Sequence, residues 1–273
     1  MFPILFHIGS YAVHTYGVVL MLAFVVSIFI AFRTAQRRTA EDARWPITPE
    51  HVLDLGIWLV VAGLLGARIM FVALDWEMYA GHPLDVFRVW QGGLSFHGGF
   101  FGGLIALSLF CIRHRIPVLT MADLYAPGSM LGYGVGRVGC FLNGCCYGAP
   151  TKMPWGIRFH DDGVLTPPSH PTQLYSVGLA LLSFALLLRL QRHQAFRGQL
   201  SCWFFVLAGT ERFIMEIWRA NVTSTVVALG LTDVQWLCLG FIALGVVGLC
   251  VCRRLFPIGA AAPAPPRLAS PVS

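Results

Sequence analysis

The sequence predicts an all-α, polytopic membrane protein that crosses the bilayer about seven times as one helical bundle. Of its 273 residues, 56% are hydrophobic and only 12% are charged, and the mean hydropathy is +0.69. Soluble domains carry about twice that charged fraction. The apolar residues are gathered into seven segments, each near the ~20 residues that span a hydrocarbon core.

The predicted spans are, in order, residues 14–32, 52–74, 96–112, 118–137, 171–189, 200–218 and 233–252. Backbone polar groups inside a bilayer need hydrogen-bond partners, so these segments are expected to be helices. They also lack the two-residue alternation of a membrane β-barrel. We expect a single transmembrane domain over residues 1–256. A disordered cytoplasmic tail rich in Pro and Ala is expected over residues 257–273.

The distribution of charge predicts the orientation of the bundle. Arginines follow the first, third, fifth and seventh spans, whereas the alternate loops hold acidic residues such as Asp75 and Glu77. The positive-inside rule therefore predicts an external N-terminus and a cytoplasmic C-terminus. The net charge of +6 does not indicate a nucleic-acid partner, because most of the arginines lie in short loops between apolar segments, as in membrane proteins.

Polar residues within the spans are the candidates for a functional site. A charged side chain at the bilayer centre costs at least ~2.5–3.5 kcal/mol, so its presence needs a reason. The predicted topology brings the polar residues of several spans to the external half of the bilayer. These candidates are Tyr16, Arg68, His97, Arg137, Asn143, His170, Gln173, Tyr175, Arg212, Glu216 and Arg219. Glu211 is a further charged residue within the sixth span.

Two kinds of role are open for these residues. Arg212, Glu216 and Arg219 share one helix face, so Glu216 fits a salt bridge between helices. Arg137 and Arg212 have too few local carboxylates to be fully paired, and their planar guanidinium groups suit a phosphate ligand. His97 could act in the site or hydrogen-bond structurally. The histidines lack paired metal-ligand spacing, so neither a metal nor another cofactor is expected.

The glycines around the third span also admit two interpretations. Gly98, Gly99, Gly102 and Gly103 could allow close packing of helices, and the four-residue spacing of Gly99 and Gly103 fits this interpretation well. Gly92, Gly93 and Gly98 flank His97 and favour a bent backbone that lets a bulky headgroup approach.

Six blocks, in this order and spacing, resemble the phosphatidylglycerol–prolipoprotein diacylglyceryl transferases of bacteria over nearly the whole chain. The longest block is specific, whereas no single short motif would suffice. The blocks are HTYG at 14–17, GARI at 66–69, FRVWQGGLSFHGG at 87–99, GRVGCFLNG at 136–144, HPTQLY at 170–175 and ERFIMEIWR at 211–219.

The resemblance implies transfer of diacylglycerol from phosphatidylglycerol to the lipobox cysteine of prolipoproteins, with a thioether product and release of glycerol 1-phosphate. It implies a multi-pass protein of the bacterial cytoplasmic membrane whose active site faces the periplasm. Its expected partners are phosphatidylglycerol, lipobox-containing prolipoproteins and the lipid bilayer. The residues that match the family's essential ones are Tyr16, His97, Arg137, Asn143, Arg212 and Glu216. His97 is the candidate base, with Arg137 and Arg212 on the phosphodiester.

Three positions depart from the commonest pattern of the family. Cys140 stands where Asn is usual, and Cys145 and Ser176 each stand where Glu is usual. Cys145 and Cys146 could form a disulfide with a partner, or they could be small packing residues. Two alternatives are a divergent paralogue with altered chemistry in this loop and a transporter or flippase for an anionic lipid. Inverted repeats would favour a transporter, and the sequence shows none.

Overall fold

The computed structural model describes residues 4–9, 11–42, 45–79, 81–88, 92–161, 164–219 and 226–258. Over these residues the chain forms seven α-helices, one for each predicted span. They are α1 (Thr15–Glu41), α2 (Pro49–Leu74), α3 (Phe96–Arg113), α4 (Val118–Asn143), α5 (Thr172–Gln191), α6 (Gln199–Arg219) and α7 (Asp233–Leu255).

The helices pack as antiparallel pairs around α4. Helix α4 lies against α1, α5 and α6, while α2 pairs mainly with α3 and α6 with α7. The register of α1 on α4 places Ser27 beside Gly128 and Ala23 beside Gly132, as two chains running in opposite directions require. The end of α4 therefore lies beside the start of α1. This arrangement brings the helix ends that carry the candidate site residues to the same end of the bundle.

The outer surface of the bundle is apolar, as a bilayer requires. Met21, Ile57, Ile69 and Leu182 are each more than 60% exposed. Helices α1, α2, α5 and α7 are long and apolar enough to cross a membrane, and α3 has a shorter apolar stretch. The predicted fold class, an all-α polytopic membrane protein, is confirmed. The orientation of the termini stays a prediction.

Local sequence signals explain where several helices begin and end. Thr48 and Thr232 each accept a hydrogen bond from the backbone three residues on, which completes a capping box at α2 and α7. Helix α4 ends at Gly144, whose φ of 80° is the left-handed conformation that glycine adopts readily. Helix α4 therefore extends to Asn143, beyond the predicted span end at residue 137.

Three short antiparallel hairpins lie at the end of the bundle where α1 and α7 begin. They are β1 (Ile4–Ile8) with β2 (Tyr11–His14), β3 (His160–Asp161) with β4 (Val164–Leu165), and β5 (Val226–Ala228) with β6 (Leu231–Thr232). Two 3₁₀ turns, Trp76–Met78 and Pro83–Phe87, precede α3. The connections at this end are long, whereas those after α1, α3 and α5 are short.

A buried carboxylate organises the opposite end. Asp123 of α4 is 3% exposed and accepts hydrogen bonds from Gln194 Nε2, the Gly198 backbone N–H, and both the backbone N–H and hydroxyl of Ser201. It thereby joins α4 to the start of α6. Ile258, which belongs to the predicted tail, lies at the same end and donates its backbone N–H to the Ala195 carbonyl. The remainder of that tail, from residue 259, lies outside the described residues.

Close contact between α2 and α3 depends on Gly98 and Gly102 more than on Gly99 and Gly103, the pair that the sequence favoured. A Cβ on Gly98 would collide with the Gly66 carbonyl oxygen, and one on Gly102 with the Ala62 carbonyl oxygen. By contrast, a Cβ on Gly103 would meet only a Leu59 methyl group at 3.9 Å. Gly98 thus serves helix packing and not a bent backbone. Gly92 and Gly93 do have positive φ values, of 90° and 73°.

The neighbouring glycines of α3 give a matched test. Gly102→Ala is expected to lower the free energy of unfolding by about 1–3 kcal/mol, because a backbone carbonyl cannot move aside as a side chain can. Gly103→Ala is expected to be neutral or slightly stabilising, since alanine favours a helix. Thermal unfolding in detergent, followed by tryptophan fluorescence, compares the two variants. Equal melting temperatures would contradict the tight α2–α3 contact.

Candidate active site

A chain of hydrogen bonds fixes Arg137 inside the bundle. The Nε of Arg137 donates to the Tyr133 hydroxyl at 2.9 Å, and that hydroxyl donates to Glu211 Oε2 at 2.7 Å. Tyr133 and Arg137 are four residues apart on α4, so they share a helix face, and Glu211 reaches them from α6. Among the described residues, the two terminal amino groups of Arg137 donate no hydrogen bond. They are the part of this side chain that a ligand can meet.

An ion pair lies beside this hydrogen-bond chain on α6. Arg212 Nη1 is 2.9 Å from Glu216 Oε2, and Glu216 is fully buried while the Arg212 side chain is 29% exposed. The i, i+4 spacing predicted this shared face. The carboxylate of this pair is directed into the bundle, as is that of Glu211, since both glutamates are buried residues of α6. A buried carboxylate of this kind needs its counter-charge.

The charges carried by the adjoining ends of α4 and α6 do not cancel. In the described residues of these two helix ends there are three arginines, Arg137, Arg212 and Arg219, and two carboxylates, Glu211 and Glu216. The Nε of Arg219 is buried and has no hydrogen-bond partner among the described residues. The surplus is therefore positive. A group with one negative charge would complete it, and a guanidinium can bind a phosphate oxygen pair through two parallel N–H donors.

The start of α5 holds the loop that follows α4. Gln173 is fully buried, and its Nε2 donates to the Cys145 carbonyl at 2.7 Å. Thr172 Oγ1 donates to the Cys146 carbonyl at 3.0 Å. The Gln173 amide oxygen has no hydrogen-bond partner among the described residues. Gln173 therefore positions this loop, and its second polar atom is left over.

His170 and Tyr175 belong to an aromatic group beside that loop. The Tyr175 hydroxyl accepts from Trp155 Nε1 at 2.8 Å and lies 3.3 Å from His170 Nδ1. The Tyr175 ring lies edge-on to Trp218 of α6, with centroids 5.6 Å apart. His170, Tyr175 and Trp218 are half-buried and Trp155 is exposed. The group joins the start of α5 to the end of α6.

Tyr16 and Asn143 lie where α1 meets the end of α4. The Tyr16 ring packs beside Gly139, where a Cβ would lie 3.5 Å from its Cδ2, and the side chain is 38% exposed. Asn143 is the last residue of α4, one and a half turns beyond Arg137. Both therefore belong to the same end of α4 as Arg137.

Arg68 makes a set of contacts that the sequence did not predict. It is 7% exposed, and its guanidinium donates to four backbone carbonyls, those of Asp85, Val86, Gly92 and Gly93, at 2.7 to 2.9 Å. Its guanidinium carbon also lies 5.2 Å from the centre of the Tyr79 ring. Arg68 thus fixes the loop that leads into α3. Its contribution to substrate binding stays a prediction, and would act through that loop.

His97 occupies the first turn of α3, directly after this loop, and is exposed. The start of α3 is fixed to α2, since the Ser95 backbone N–H donates to the Ala67 carbonyl at 3.0 Å. Helix α3 packs extensively on α2 and touches α4 only slightly. His97 therefore approaches the site from the α2–α3 side, and its role stays a prediction.

Tyr133 is a member of the candidate site that the sequence analysis missed, and Glu211 was named there only as a charged residue within a span. Glu211 is a charged residue of the sixth span, and Tyr133 precedes Arg137 by one helical turn. Both signals were available in the sequence. Only the structure shows that they act together on one arginine.

Comparison with known proteins identifies the family. A family described as prolipoprotein diacylglyceryl transferase matches residues 3–251. Three proteins named phosphatidylglycerol–prolipoprotein diacylglyceryl transferase are similar along most of their length. That of Verminephrobacter eiseniae is 37% identical, with 93% of this chain and 94% of the relative covered. That of Mesorhizobium japonicum is 36% identical, with 88% and 84% covered, and that of Gloeobacter violaceus is 33% identical, with 90% and 91% covered.

The family match and the alignments to these relatives extend over nearly the entire chain. The family match includes every helix end that carries the polar residues of the candidate site. The chain belongs to the prolipoprotein diacylglyceryl transferase family.

Proposed function

We propose that this protein transfers the diacylglyceryl group of phosphatidylglycerol to prolipoproteins, the first step of lipoprotein maturation, and that the polar end of α4 and α6 is its active site. The observation that supports this site assignment is the environment of the Arg137 guanidinium. Its Nε is held by Tyr133, which is held in turn by Glu211, while its outer amino groups have no hydrogen-bond partner among the described residues.

Arg137 and Arg212 bind the phosphodiester of the lipid in this proposal. The surplus positive charge of the site matches the single negative charge of that group. As the reaction proceeds, the departing phosphate gains a second negative charge. Donors fixed in advance stabilise such developing charge without having to reorganise. Tyr16 and Asn143, at the same end of α4, orient oxygen atoms of the headgroup.

The acceptor is the thiol of a lipobox cysteine, which reacts as the thiolate. Its sulfur attacks the glyceryl carbon that carries the phosphate ester, and a carbon–sulfur bond forms as the carbon–oxygen bond breaks. Glycerol 1-phosphate leaves with the electron pair of that bond. His97 accepts the thiol proton, because an imidazole has a pKa suited to proton transfer near neutrality.

The same proposal places the protein in the bacterial cytoplasmic membrane with this site at the periplasmic leaflet. The support is the arginine pattern, which follows α1, α3, α5 and α7. Asp123 and its partners then lie at the cytoplasmic end. Phosphatidylglycerol reaches the site sideways from the leaflet, and the lipobox cysteine emerges beside it.

Reconstitution tests the function and the base together. The full chain is placed in vesicles containing phosphatidylglycerol, a lipobox peptide is added, and the mass of the peptide is followed. We expect a gain of one diacylglyceryl group that a Cys→Ser peptide does not show. His97→Ala is expected to lower the rate by about 10²–10⁴-fold, the usual contribution of general acid–base catalysis.

His114→Ala is the matched control for this experiment. His114 ends the same helix, is exposed, and stacks on Phe110 with ring centroids 4.3 Å apart. It is expected to retain the wild-type rate. A folded His97→Ala protein that transfers as fast as the His114→Ala protein would exclude His97 as the base. A folded wild-type protein that leaves the peptide unmodified would contradict the proposed function itself.

A further inference from the structure

Three thiols converge at the end of α4. Cys140 lies in the last turn of the helix, and Cys145 and Cys146 follow Gly144 directly. Their Sγ atoms all lie within 4.8 Å of one another. All three are half-buried free cysteines. Such a group of sulfurs is distinct from the isolated cysteines that pack as small hydrophobic residues elsewhere in the bundle.

The backbone that brings these sulfurs together is firmly held. Gly144 has a φ of 80° and Cys146 a φ of 65°, so the chain reverses within three residues. The Cys145 backbone N–H donates to the Cys140 carbonyl at 3.1 Å. Thr172 and Gln173 bind the carbonyls of Cys146 and Cys145 from the start of α5. A positive φ at a residue other than glycine is uncommon and marks a conformation that its surroundings maintain.

The spacing of the sulfurs suits a metal ion. Metal–sulfur bonds of about 2.3 Å place the sulfurs of one site roughly 3.8–4.0 Å apart, in tetrahedral or trigonal geometry. Sulfurs already within 4.8 Å of one another reach that spacing by small side-chain rotations. Soft thiolate ligands select soft metal ions, of which Cu(I) is the clearest case. Within the described part of the chain, no carboxylate or imidazole joins the three sulfurs as a fourth ligand.

Two arginines lie near this cluster. The guanidinium groups of Arg219 and Arg137 are close enough to act electrostatically on the Cys146 sulfur. Three thiolates around one monovalent cation leave a net negative charge. Arg219, which the proposed phosphate site does not use, offsets part of that charge.

We propose that Cys140, Cys145 and Cys146 form a three-coordinate thiolate site for one thiophilic metal ion, with Cu(I) preferred. Each thiol loses its proton as it binds, and no electron is transferred. Three-coordinate geometry suits Cu(I), whereas Zn(II) in a protein normally takes four ligands. The proposal does not depend on the transferase chemistry, because it concerns sulfurs that no step of that reaction uses.

Binding of Cu(I) alone to the full chain tests this site. The reduced protein in detergent, kept free of oxygen, is titrated with Cu(I) in competition with a chromophoric Cu(I) chelator. One equivalent is expected to bind, and X-ray absorption is expected to show three sulfur neighbours. Replacing Cys146 by serine is expected to weaken binding by at least tenfold. The triple serine variant is expected to retain no copper against the chelator.

Cys250→Ser is the matched control, since Cys250 is an exposed cysteine of α7 outside the cluster. It is expected to bind like the wild type. Copper retention by the triple variant equal to the wild type would overturn the site, as would a disulfide among the three cysteines that survives reduction. Tighter binding of Zn(II) than of Cu(I) would overturn the metal preference. If the triple variant does not fold, the single variants and the sulfur coordination number decide the question.

Discussion

Replacing Arg137 by alanine is expected to lower diacylglyceryl transfer by at least about 10²-fold, because the donors that would meet the departing phosphate are lost. Arg137→Lys is expected to remain strongly impaired. Lysine keeps the charge but has neither the planar fork nor an Nε that could donate to Tyr133. The measurement is kcat/KM with phosphatidylglycerol vesicles and a lipobox peptide. Thermal unfolding is measured beside it, because Arg137→Ala leaves the buried Glu211 with its hydrogen bond from Tyr133 but without the nearby positive charge.

Arg189→Ala is the control for this comparison. Arg189 lies in the last turn of α5 and is exposed, so its removal changes the net charge of the protein by the same amount. It is expected to leave kcat/KM unchanged. A folded Arg137→Ala protein with more than half of the wild-type value would remove Arg137 from the phosphate site. Impairment of Arg189→Ala to the same degree would mean that the assay reports charge in general.

The helices could be predicted from the sequence because bilayer spans impose a simple requirement on length and hydropathy. Helix α4 is a case in which hydropathy did not predict the C-terminal boundary of a helix. It continues to Asn143 because Gly144 supplies the left-handed terminus, although Arg137 interrupts the apolar segment six residues earlier. Hydropathy finds where a helix can lie in the membrane. Capping and backbone geometry decide where it stops.

The gathering of the site residues at one end of the bundle followed from the order of the spans, but their partners did not. Arg68 illustrates the difference. A buried arginine near a predicted site suggests a ligand, yet its donors are directed to four backbone carbonyls of the loop before α3. The sequence contains no record of where a loop's carbonyls point. The link from Tyr133 to Arg137 and Glu211 depends on how α6 packs against α4, which the sequence does not state either.

The glycines and cysteines show a second limit of sequence patterns. Four-residue spacing fits Gly99 with Gly103 and Gly98 with Gly102 equally well, and only the rotation of α3 on α2 decides between the two pairs. The sequence likewise predicted no metal site. The approach of Cys140 to Cys145 and Cys146 depends on positive φ values at Gly144 and Cys146, which residue types alone do not determine.

Neutralising Glu216 is expected to destabilise the protein by about 3–5 kcal/mol, because Glu216→Gln leaves the charge of Arg212 in the bundle without its counter-charge. The change is measured as the free energy of unfolding in mixed micelles. Asp85→Asn provides the contrast. Asp85 pairs with Arg88 at 2.9 Å, but both side chains are partly exposed, so its loss is expected to cost only about 0–1 kcal/mol.

A double variant separates the structural role of this ion pair from its chemical role. Replacing both Arg212 and Glu216 by methionine removes the buried charges together, and such exchanges of a buried pair are often neutral or stabilising. The double variant should therefore be markedly more stable than Glu216→Gln. It should still be inactive, because the guanidinium proposed to bind the phosphodiester is gone. A double variant that regains both stability and transfer would assign the pair to structure alone and leave the phosphate to Arg137.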